Sequence, residues 1–161
     1  MMKNLLVTLF LVLLTTNSFS AGSDSTTTKV KSNYDKAVQS IKFAKKYEKK
    51  GKIEKAKKRY EKAQKLLLKS NKEKPLQADT LNYLGFTTRK LGDYENGEKY
   101  YLLGLEIDPN HKGINEYLGE LYVATNRMDL AKERLKVLEA CNCEEYNELK
   151  EIIEGTKESK Y

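Results

Sequence analysis

A repeat is what most restricts how this chain folds. Aligned on small and aromatic positions, residues 37–70, 78–111 and 112–145 fall into a single frame of 34 residues. The connector 71–77, NKEKPLQ, parts the first copy from the second, and the third follows the second without a gap. A period of this size marks a stacked array of small units. Within each copy the helical spacing of apolar residues breaks once, at Gly51, Gly92 and Asn126. These coincide in the frame, and both residue types tolerate the left-handed backbone of a tight turn between helices. Each copy is therefore a predicted pair of helices. Such a pair cannot bury its apolar stripe alone, so the fold implied is an all-α solenoid of stacked hairpins.

Two glycines sharpen that reading. Gly97 and Gly104 lie inside the helical stretch YENGEKYYLLGLEI, where each costs roughly 0.5–1 kcal/mol relative to alanine. In the frame they match Ala56 and Ala63 of copy one, and Gly97 also matches Ala131 of copy three. Smallness is the shared demand, as expected where helix axes approach within about 8–10 Å. Tyr60 and Tyr101 are the large neighbours that fill the space beside the crossing. Alanine is accordingly expected to be tolerated or mildly stabilising at 97 and 104, and leucine at 97 to overpack.

The residues in these positions resemble the tetratricopeptide repeat family. Copy two carries Leu84, Gly85, Gly92, Gly97, Tyr101, Gly104 and Pro109, with Thr88 in place of an aromatic. Copy three carries Leu118, Gly119, Tyr122 and Ala131, then departs from the pattern with Leu135 and Leu138. Copy one carries Ala44, Tyr47, Gly51, Ala56, Tyr60 and Ala63. The resemblance implies a right-handed superhelix and a protein-binding scaffold without catalysis or cofactor. It also implies a concave groove lined by the first helix of each pair. Asn82, Phe86, Arg89 and Lys90 of copy two, and Glu116 and Glu120 of copy three, are the expected groove residues. The lysine and asparagine set with which some members clamp a C-terminal carboxylate is missing. Phe86 beside Arg89 instead suggests a segment with an apolar anchor and an acidic neighbour.

Outside the copies, the chain opens with Lys3, an apolar run from Leu5 to Leu14, and small residues at Ser18, Ser20 and Ala21. This is the plan of a secretory signal peptide over residues 1–21, and the run falls well short of the ~20 residues a membrane span needs. Export to the bacterial periplasm is the expectation. Residues 22–32 are polar and read as a disordered leader, residues 33–158 as the repeat domain, and residues 146–155 as a capping helix carrying Tyr146, Leu149, Ile152 and Ile153.

Charge is unevenly spread. Residues 29–74 hold 18 Lys/Arg against 5 Asp/Glu, and residues 75–161 hold 11 against 17. The basic half suits an anionic polymer or membrane face as an alternative partner; export argues against nucleic acid.

Little suggests an enzyme. His111, the single histidine, is expected in a solvated loop, and no metal site is assembled from it. Cys141 and Cys143 are the one local oddity. In an oxidising compartment they suit a disulfide at the junction with the final helix, a redox or cross-linking role, or capture of a soft metal.

Overall fold

The computed structural model describes residues 31–159. The expected signal peptide and all of the leader except Lys31 and Ser32 lie outside these residues. Ser32 belongs to the first helix and not to a loose leader. Its hydroxyl oxygen accepts from the Asp35 N–H at 3.0 Å, while the Ser32 N–H donates back to the Asp35 carboxylate at 3.2 Å. This reciprocal box satisfies two donors that a helix start leaves orphaned.

Seven α-helices follow: α1 (Asn33–Glu48), α2 (Ile53–Glu73), α3 (Ala78–Lys90), α4 (Tyr94–Ile107), α5 (Lys112–Ala124), α6 (Met128–Leu138) and α7 (Glu144–Ile153). A 3-10 turn, Glu139–Cys141, lies between the last two. No strand occurs among the described residues. The turns within hairpins fall at the frame position expected, with φ of +65° at Gly51, +95° at Gly92 and +58° at Asn126. The connector is shorter than its composition suggests. Nothing in Asn71, Lys72 or Glu73 halts a helix, so α2 continues until the residue before Pro75, which is biased away from helical backbone. The capping helix likewise starts at Glu144, two residues earlier than expected, and Gly155 closes it with φ +72°.

Helices pair as α1/α2, α3/α4 and α5/α6; α2 stacks on α3, α4 on α5, and α7 on both α5 and α6. The small frame positions sit inside these contacts: Ala44, Ala56, Ala63, Gly85, Gly97, Gly104, Gly119 and Ala131 are all buried, as are Tyr60, Leu84, Tyr101 and Leu118. Gly85 lies directly beneath the Tyr101 ring, whose nearest carbons stand 2.5–2.8 Å from where a β-carbon would be. At the equivalent position of copy three, Gly119 lies beneath Leu149 of α7, at 2.5 Å. The same socket serves a hairpin's own tyrosine in one copy and the capping helix in the next.

The expectation that alanine is harmless at position 97 does not survive this geometry. A β-carbon there would lie 3.2 Å from the Gly85 carbonyl oxygen and 3.3 Å from the Arg89 nitrogen, and backbone cannot step aside cheaply. At Gly104 it would instead meet Cδ1 of Ile114, the free end of a flexible side chain that can rotate.

Candidate functional site

The first helices of the hairpins, with α7 beside them, frame two adjoining clefts. One, of about 460 Å³, is lined by Asp79, Asn82, Tyr83, Asp108, Asn110, His111, Lys112, Gly113, Glu116, Tyr117 and Glu145. The other, of about 250 Å³, is lined by Lys45, Glu116, Tyr117, Glu144, Glu145 and Glu148. Glu116, Tyr117 and Glu145 belong to both, so the two form one surface. Its charged groups are Asp79, Asp108, Glu144, Glu145 and Glu148 against Lys45 and Lys112, with the buried carboxyl of Glu116 and the His111 ring among them. The surface is acidic.

Beneath it lie the residues expected to line it. Phe86 is 1% exposed and Arg89 2%. The Phe86 ring packs 5.8 Å from Tyr60 and 5.1 Å from Tyr117, with the Lys45 ammonium 4.6 Å above it. Lys45 also donates to the Tyr117 hydroxyl at 3.2 Å, which closes the lid over Phe86. The Arg89 guanidinium donates to the Tyr117 carbonyl at 2.7 Å and pairs with the Glu120 carboxylate at 3.3 Å, both side chains essentially without solvent contact. Lys90 reaches Glu48 at 2.7 Å. The expected apolar anchor and acidic neighbour therefore have no place to land. Phe86, Arg89, Lys90 and Glu120 tie α3 to its neighbours, and only Asn82 and Glu116 of the expected set reach the cleft.

Glu116 is the chemically unusual member. Burial pushes its carboxyl up to about 9, and the charges of Glu120, Glu148 and Glu145 and a hydrogen bond with Glu148 add to the effect. At neutral pH the proton stays on Glu116 and is shared with Glu148. The carboxylates of Glu116, Glu120 and Glu148 could in principle offer oxygens to a cation, since one from each lies within 4.8 Å of the others. Here Glu120 is engaged by Arg89 and Glu148 by Lys157 at 3.1 Å.

His111 is not the solvated loop residue expected. It caps α5: its Nδ1 accepts from the Ile114 N–H at 3.2 Å, and Nε2 lies 3.2 Å from the Asp79 carboxylate. An acceptor Nδ1 leaves the proton on Nε2, so Asp79 accepts it. Cys141 and Cys143 form a disulfide with Cα atoms 5.2 Å apart.

Tyr117 and the α7 carboxylates are the functional residues that pattern reading passed over. A tyrosine stands just before the frame leucine in copies two and three, as Tyr83 and Tyr117, and that coincidence was the available signal. Glu145 and Glu148 lie on α7, three apart and so on neighbouring positions of one face.

Residues 78–111, spanning α3 and α4, match the tetratricopeptide repeat. The hairpin α3/α4 is thus similar to a tetratricopeptide repeat. The described residues as a whole share the fold of solved tetratricopeptide domains and chaperones. The first such domain of Spaghetti (RPAP3), bound to the HSP90 peptide SRMEEVD, is 21% identical with a TM-score of 0.53, over 79% of this chain and 98% of that one. The type III secretion translocator chaperone SycD of Yersinia enterocolitica is 16% identical with a TM-score of 0.53, over 75% of this chain and 83% of that one. PcrH, in complex with the chaperone-binding region of PopD, is 18% identical with a TM-score of 0.51, over 76% and 88%. No curated protein matches the chain. The hairpins α1/α2 and α5/α6 flank the matched hairpin α3/α4, and α7 packs on α5 and α6.

Proposed function

We propose that this tetratricopeptide repeat protein is a non-catalytic scaffold of the cell envelope that holds a cationic, extended segment of a partner protein in the acidic cleft. The observation that carries the reading is the sign of the cleft: five carboxylates, Asp79, Asp108, Glu144, Glu145 and Glu148, converge on it beside the protonated Glu116, against Lys45 and Lys112. Structures of this fold hold protein segments, an HSP90 peptide in one and a region of PopD in another. The HSP90 peptide is acidic, so a cleft of this sign suits a different sequence. Complementary charge gives such a site its selectivity and on-rate, with a steep dependence on salt. Envelope residence rests on the signal-peptide pattern of residues 1–21.

The test is peptide binding by fluorescence anisotropy. A lysine-rich peptide should bind at low salt and weaken toward physiological salt, while an acidic peptide of equal length should not bind. Glu144→Gln with Glu145→Gln should weaken binding about tenfold, each exposed pair being worth roughly 0.2–1 kcal/mol. Equal binding of the two peptides would sink the proposal.

A second reading has its own support. Among the described residues, no ion pair involves any of the eight lysine and arginine residues of α2. A helix with eight basic residues against Glu54, Glu61 and Glu73 suits an anionic envelope surface. Anionic vesicles should then bind the protein at low salt, and Lys62→Glu with Lys65→Glu should abolish that binding while leaving peptide binding intact.

A further inference from the structure

We propose that the Cys141–Cys143 disulfide is an exchange site that oxidises thiols and is itself reduced to a dithiol. It is poorly placed to be a structural staple. Only Asn142 separates the two cysteines, so the bond closes a very small loop and restricts the unfolded chain little. The elements on either side are already joined without it: α7 packs on α5 and α6, with Leu149 seated over Gly119 and both Leu149 and Ile152 buried.

The local backbone favours opening. Asn142 sits in the left-handed region with φ +45° and ψ +48°, a conformation that costs an L-residue energy even where asparagine softens it. Both cysteines are partly exposed, so a thiol can reach them. Cys143 stands at the N-cap of α7 and no side chain caps the helix there. A thiolate departing from Cys143 would adjoin the free N–H groups of the first turn, which favour negative charge; Glu144 and Glu145 in that turn oppose it. The sulfur of Cys141 is therefore the one to be attacked, with Cys143 leaving.

The electron balance is simple. A substrate thiolate attacks Cys141 Sγ, the protein S–S bond breaks, and Cys143 leaves as a thiolate that takes up the proton the substrate released. A second substrate thiolate attacks its own sulfur in the mixed disulfide and releases the Cys141 thiolate. Two thiols become one disulfide, and the protein disulfide becomes two thiols. The substrate is either a free small thiol or a protein dithiol. The second is favoured by position, because Glu144 and Glu145, next along the chain from Cys143, line the acidic cleft.

Glutathione exchange tests the chemistry without relying on the cleft. The folded protein is equilibrated in buffers of reduced and oxidised glutathione, thiols are trapped by alkylation, and masses are read. The expected result is a disulfide half-reduced at a millimolar glutathione ratio with the helical circular dichroism unchanged. Cys143→Ser should trap a stable glutathione adduct on Cys141. A disulfide that remains oxidised until the protein unfolds would overturn the proposal, as would the absence of any adduct in a folded Cys143→Ser variant. A lysine-rich peptide with two cysteines then separates the sources. Its oxidation outpacing that of glutathione at low salt, and losing the advantage at high salt, assigns the site to a docked protein segment. Equal rates at every salt assign it to free thiols.

Discussion

Replacing Glu116 by glutamine should turn a protein that weakens as pH rises into one that does not. Glu116 is 7% exposed on α5, beside Glu120 and Glu148, and its carboxyl is held up at about 9 against an ordinary value of 4.5. Between those values the folded chain keeps a proton that the unfolded chain has lost. The stability contributed by this group is thus complete below about 4.5 and is lost as pH climbs toward 9. One unit of pH corresponds to about 1.4 kcal/mol while one such proton is held, so the interval from pH 5 to pH 8 costs at most about 4 kcal/mol. For a chain of this size that is a fall in melting temperature of roughly 10 °C. In Glu116→Gln a neutral amide takes the site at every pH and still reaches Glu148. Thermal melts followed by circular dichroism from pH 5 to pH 8 should show a steep decline in the wild type and a flat profile in the variant, with the variant the more stable at pH 8. Parallel slopes in the two proteins would show that the proton does not reside on Glu116 and refute the reasoning.

Other substitutions address the packing. Phe86→Ala should cost about 3–5 kcal/mol in urea unfolding, because the ring is enclosed by Tyr60, Tyr117 and Lys45. Arg89→Met should cost a similar ~3–5 kcal/mol by leaving the Glu120 carboxylate buried without its cation, and Arg89→Met with Glu120→Gln should recover most of it. Gly119→Ala should drive Leu149 out of its socket, which hydrogen exchange would report as faster exchange along α7 with α1 and α2 unchanged.

The hairpins, their turns and the small crossing positions were legible because each is a local demand repeated in a fixed frame. Gly51, Gly92 and Asn126 need only their own backbone to explain them. The cleft was legible in outline and wrong in detail. Phe86 and Arg89 occupy first-helix positions that a regular array would expose, but whether such a position is open depends on residues far along the chain. Lys45 and Tyr117 come from different copies, and it is their meeting that roofs Phe86. The acidity of the surface was hidden for a similar reason. Its carboxyl groups come from four separate segments, and α7, read as a cap, contributes three of them. The harm from alanine at 97 depends on the distance to a carbonyl on another helix, which no periodicity encodes.

Phe86 and Arg89, one turn apart on α3, touch α1, α2 and α5 between them. An array whose units meet only their immediate neighbours can melt from one end and leave a stable remainder. Here the middle unit carries contacts that depend on both flanks at once, so neither flank can leave without unroofing a ring or stranding an ion pair. The order of the middle unit therefore depends on both flanks. A partner gripped by α5 and α7 at one end of the array would, by that coupling, also steady the lysine-rich helix at the other.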